Sequence, residues 1–83
     1  MYKLHIANKA KKELKKISRL HKLAILSALE DLKEDPLLGK PLARELTGRF
    51  TFRVGVYRII YKINQQDKII EILTTGHRST IYN

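Results

Sequence analysis

Eighty-three residues make one small domain, spanning 1–83, and a chain of that size buries only about 60% of the surface its unfolded form exposes. Seventeen lysines and arginines stand against eight acidic residues, a net charge of +9, and there is no cysteine. Disulfide staples and thiolate metal sites are thereby excluded, and the surplus of positive charge points to an anionic partner. The lack of cysteine fits a reducing cytoplasm. The first twenty residues carry seven lysines and arginines, and the longest uncharged apolar stretch, 23–29, has seven residues. A signal peptide needs a longer apolar region and a membrane span far more, so the sequence reads as a soluble, cytoplasmic protein with no membrane partner.

In chain order, residues 2–6 alternate, with Tyr2, Leu4 and Ile6 on one face and Lys3 and His5 on the other, the pattern of a half-buried strand. Asn8 is placed to cap a helix whose apolar stripe is Ala10, Leu14 and Ile17. Ser18 and Arg19 interrupt that pattern, and a second helix is predicted to about residue 35, with Ile25, Ala28, Leu29 and Leu32 on its apolar face. Pro36, Gly39 and Pro41 then punctuate a loop. From residue 49 the period changes to two, predicting strands over 49–54, 57–63 and 68–75. The first two are joined at Gly55-Val56, with glycine in the first place of a type II′ turn, and the last two across 64–67. A strand, two helices and three strands define an α+β domain, in which a helical hairpin packs on one face of a mainly antiparallel four-stranded sheet.

The turn at Gly55-Val56 fixes the pairing of its strands. Arg53 falls opposite Arg58, Thr51 opposite Ile60 and Arg49 opposite Lys62, all on one face, while Phe50, Phe52, Val54, Tyr57, Ile59, Tyr61 and Ile63 face the helices. Like charges directly opposed across strands destabilise a sheet, so two such pairs on one face make sense when a polyanion neutralises them. Continuing the meander puts Glu71 opposite Ile60, diagonal to Arg58 and Lys62, as an ion-pair partner that relieves repulsion. Gly76 permits a bend after the last strand, by which His77, Arg78 and Tyr82 would be delivered to the arginine face. His5 and His21 lack metal-ligand spacing, and no metal or other cofactor is expected. The lysines at 9, 11, 12, 15 and 16 read as a solvated helix face, and Tyr57 and Tyr61 as packing residues.

The run Arg53-Val-Gly-Val-Tyr-Arg58-Ile-Ile-Tyr61, followed by Gly76-His77-Arg78 and Tyr82, resembles the RelE branch of the RelE/ParE toxin superfamily over essentially the whole chain. The resemblance implies a RelE-like fold and a ribosome-dependent endoribonuclease that cuts messenger RNA in the ribosomal A site. It also implies a cognate antitoxin that holds the toxin inactive. Carried over by position, Arg58 matches the arginine that contacts the scissile phosphate, Arg53 another basic position, Arg78 a tail arginine and Tyr82 the C-terminal tyrosine proposed as general base. Arg49 falls where some members place a catalytic lysine, and Thr51 where they place a second. Threonine supplies no cation, so the general acid would have to come from Arg53, Lys62 or His77. Two other functions fit the same fold: a ParE-like poison of DNA gyrase, and an RNA- or ribosome-binding module without chemistry.

Overall fold

The structure, a computed structural model, describes residues 1–43 and 47–77. Strand β1 (Lys3–Ile6) leads directly into helix α1 (Asn8–Lys16) and helix α2 (Arg19–Glu34). A 3₁₀ turn (Pro36–Leu38) and a two-residue strand β2 (Lys40–Pro41) follow, then β3 (Arg49–Val54), β4 (Tyr57–Asn64) and β5 (Ile69–Thr74). Among the described residues the sheet therefore has five strands, ordered β1-β5-β4-β3-β2, not the four expected. The extra strand lies where the prolines read as loop. Its pairing of Lys40 with Thr51 and Pro41 with Phe50 is too short to leave a periodic signal, and Pro41 is tolerated because this is an edge.

The helical stripes are buried as their spacing requires: Ala10, Leu14 and Ile17 from the first helix, and Ile25, Ala28, Leu29 and Leu32 from the second. They pack on Ile59, Tyr61, Ile70 and Ile72, with Phe50, Phe52, Val54, Tyr57 and Ile63 around the margin. Asn8 is the first helical residue, not the cap. The Ala7 amide donates to the Ile72 carbonyl (2.9 Å), so the β1–β5 ladder runs up to Ala7 and the helix begins immediately after it. Glu13 fastens α1 to the sheet: its carboxylate accepts from the Thr74 hydroxyl (2.7 Å) and the Thr75 amide (3.1 Å). The acidic end of α2 also has work to do. Asp35 caps the 3₁₀ turn by accepting from the Leu37 amide (3.1 Å), and Glu30 pairs with Lys33 (3.2 Å).

The β3–β4 register is the one that the turn dictates, from Val54 opposite Tyr57 to Arg49 opposite Lys62. Gly55 has φ +60° while Val56 keeps a negative φ, which fits type II′ and not type I′. The next turn differs from expectation by two residues. Glu71 lies opposite Lys62, not Ile60, because Asn64 ends β4 and its side chain bonds Asp67 twice, accepting from the amide (3.0 Å) and donating to the carboxylate (3.1 Å). Lys68 then takes a left-handed φ of 54°, and β5 starts at Ile69. A slip of two leaves every side chain on its expected face. A bulge at Ile60/Tyr61 then sets Thr74 opposite Ile60.

Candidate nucleic-acid interface

With the helices covering one face of the sheet, the other carries charge in two cross-strand rows. The first is Arg53 beside Arg58. The Arg58 amide donates to the Gly76 carbonyl (2.9 Å), away from β3, so Arg53 and Arg58 form a non-hydrogen-bonded pair, the kind with Cα atoms only about 4.5 Å apart. Two guanidinium stems are thus held side by side. Arg53 is exposed, whereas Arg58 is half-buried with its Nε atom inside the protein. The second row runs His5, Glu71, Lys62, Arg49 across β1, β5, β4 and β3. His5 Nδ1 stands 3.6 Å from the Glu71 carboxylate, so Glu71 relieves charge at this row and not at the arginine pair. Lys62 is four residues from Arg58 on the same strand, about 13 Å at the usual strand rise.

Beside the arginine pair the sheet edge forms a concavity of about 330 Å³ lined by Leu38, Lys40, Thr51, Phe52, Arg53 and Arg58. Its wall depends on Tyr61. That side chain is wholly buried, and its hydroxyl donates to the Pro36 carbonyl (2.6 Å) and accepts from the Gly39 amide (3.0 Å). Burial, and secondarily the negative charge of Asp35, raise the Tyr61 pKa. Gly39 is required here for space: a Cβ would lie 2.8 Å from the Thr51 carbonyl and closer still to the Tyr61 hydroxyl. The clamp draws Leu38 and Lys40 over the open face. Sequence reasoning missed both, since a buried tyrosine bonding backbone 22 and 25 residues away leaves no local pattern.

The chain does not turn away at Gly76. It runs on beside β4, and His77 pairs with Tyr57. Paired residues share a face, so His77 lies on the helix side, its ring 5.7 Å from Tyr57 and edge-on to it, with the His21 ring 5.2 Å from the same tyrosine. His77 is therefore not on the arginine face as expected. Arg78 and Tyr82 lie outside the described residues. Among those described, no cluster of three or more potential metal ligands occurs and no helix is long and apolar enough to cross a membrane.

Comparison with known proteins places this basic α+β domain among the small toxins of type II toxin–antitoxin systems. The model of the ParE toxin of type II toxin–antitoxin systems matches residues 4–82, and the chain belongs to this RelE/ParE family of toxins. It is 37% identical to toxin RelG of Mycobacterium tuberculosis over 83 residues, covering 98% of this chain and 95% of that one. Its structure superposes on the toxin–antitoxin complex RelBE2 of the same organism with a TM-score of 0.86 and 37% identity, covering 93% of this chain and 98% of that one. The intact RelBE complex of E. coli matches with a TM-score of 0.81 at 18% identity, over 93% and 96% of the two chains, a likeness of fold.

Proposed function

We propose that this toxin is a metal-independent, ribosome-dependent endoribonuclease that cuts messenger RNA in the A site, held silent in the cytoplasm by a cognate antitoxin. The observation that carries the reading is the directly opposed pair Arg53–Arg58 on the open face, beside a concavity with no acidic residue among the described residues that line it. Such a pair is unfavourable until an anion lies between its members. In the reaction the ribose 2′-oxygen attacks the adjacent phosphorus, the bond to the 5′-oxygen breaks as that oxygen takes a proton from water, and a 2′,3′-cyclic phosphate and a 5′-hydroxyl result. Arg58, with its stem fixed by burial, stabilises the negative charge that builds on the phosphorane, as do Arg53 and Arg78. Arg49 and Lys62 hold the strand further along. Tyr82, outside the described residues, takes the 2′-hydroxyl proton in this scheme. His77 has no part in this scheme, because it stands on the other side of the sheet.

The test is primer extension on cellular messages after induction without antitoxin. New 5′ ends within translated frames are expected. Intact messages with DNA breaks would replace this reading by the gyrase poison, and intact messages with unimpaired growth by a binding module.

A further inference from the structure

We propose that Lys40 is a further phosphate-facing cation of this site, the third in the lining of the concavity after Arg53 and Arg58, delivered by the edge strand β2 to the side of the sheet that carries Thr51. The inference rests on the nuclease reading and adds a residue to it. Lys40 and Thr51 are direct partners across β2 and β3, so their side chains leave the sheet on the same side. Thr51 belongs to the row between the two charged ones, and its hydroxyl oxygen is buried with no hydrogen-bond partner among the described residues. Among the described residues the lining of the concavity thus offers three cations, one hydroxyl and no carboxylate. That is a donor set for a single phosphodiester.

Geometry also explains why the cation comes from β2. Thr51 is too short to carry charge to the phosphate, and the strand that covers it is held by the Tyr61 clamp at Gly39, one residue before Lys40. The anchor is rigid and the side chain beyond it is exposed. An ammonium there hydrogen-bonds a non-bridging phosphate oxygen and strengthens that bond as the phosphorane gains negative charge.

Lys40→Met removes the charge and keeps most of the stem; Lys40→Ala removes both. Each is expected to slow single-turnover cleavage of message on programmed ribosomes by about 100-fold, the scale of losing one preorganised donor. Affinity for a single-stranded RNA oligonucleotide, read by fluorescence anisotropy, should lose about 0.7 from its log–log salt slope, the share of one phosphate contact. Partner residues in an antiparallel pair have Cα atoms about 4.5–5.5 Å apart, so a lysine at 51 reaches the same space. Lys40→Ala combined with Thr51→Lys should therefore recover cleavage to within about tenfold of wild type, which a purely structural role for Lys40 would not allow. If the wild type cuts and Lys40→Met cuts within about threefold of it, Lys40 is not in the site while the nuclease reading stands. If the wild type leaves message intact on the ribosome, both fall.

Discussion

Replacing Tyr61 by phenylalanine removes one oxygen atom and tests the clamp that shapes the site. Two buried backbone groups lose their partner, the Pro36 carbonyl and the Gly39 amide. Each such group costs about 1–3 kcal/mol when left unsatisfied, and because this turn is at the sheet edge, where water reaches a loosened loop, we take the low end, about 2 kcal/mol in all. For a domain of this size that lowers the melting temperature by about 8–16 °C. The effect has a pH signature. Tyr61 keeps its proton in the folded state above the value near 10 at which an unfolded tyrosine ionises, because burial opposes the phenolate. Its contribution is complete below about pH 10 and is lost as pH rises through the raised folded value, at up to about 1.4 kcal/mol per pH unit. Chemical denaturation at pH 7 and at pH 11 measures both effects. Tyr61→Phe should be the less stable protein at pH 7, and the gap should narrow at pH 11. Equal stability at pH 7, or a gap unchanged by pH, would refute the clamp.

Arg58→Ala should lower cleavage by about 100-fold or more while stability stays within about 1 kcal/mol of wild type, since loss of stem packing is offset by relief of like-charge opposition; matching thermal melts and cleavage assays decide, and a variant that fails in both would make Arg58 structural. Tyr82→Phe should bind RNA normally and cut slowly, whereas His77→Gln should cut at the wild-type rate; the reverse order would move the general base to the histidine. Binding of the wild type to single-stranded RNA should weaken with salt at a log–log slope of about minus 3.5 if Arg49, Arg53, Arg58, Lys62 and Arg78 each meet one phosphate, and of about minus 4.2 with the Lys40 contact proposed above. Saturating antitoxin should abolish that binding. Affinity and slope unchanged by antitoxin would mean that the arginine face is not what it regulates.

Much of the architecture was legible because it follows from local rules. The period of two from residue 49, with glycine at position 55, sufficed to set Arg53 against Arg58, and the helical stripes were readable from their spacing. What escaped depended on side chains bonding to distant backbone or to a turn. Asn64 takes the end of β4 by bonding Asp67, which shifts Glu71 by two places. Tyr61 organises β2 from across the sheet, and Glu13 joins a helix to a strand more than sixty residues away. His77 reaches the helix side for another reason: the Gly76 carbonyl is engaged by the Arg58 amide and the strand direction persists, so the bend that glycine permits is not made.

The position of β1 bears on how the domain comes into being. This strand lies parallel to β5, with Lys3 beside Ile69 and Ile6 beside Ile72, so the first strand synthesised is paired with the last. Contacts of such sequence separation form late, because the intervening chain must be ordered first. On the ribosome the opening strand and both helices emerge well before the partner that completes their core. The β3–β4 hairpin that carries Arg53 and Arg58 can pair locally, but the sheet that backs it closes only once residues 69–74 are available to take β1.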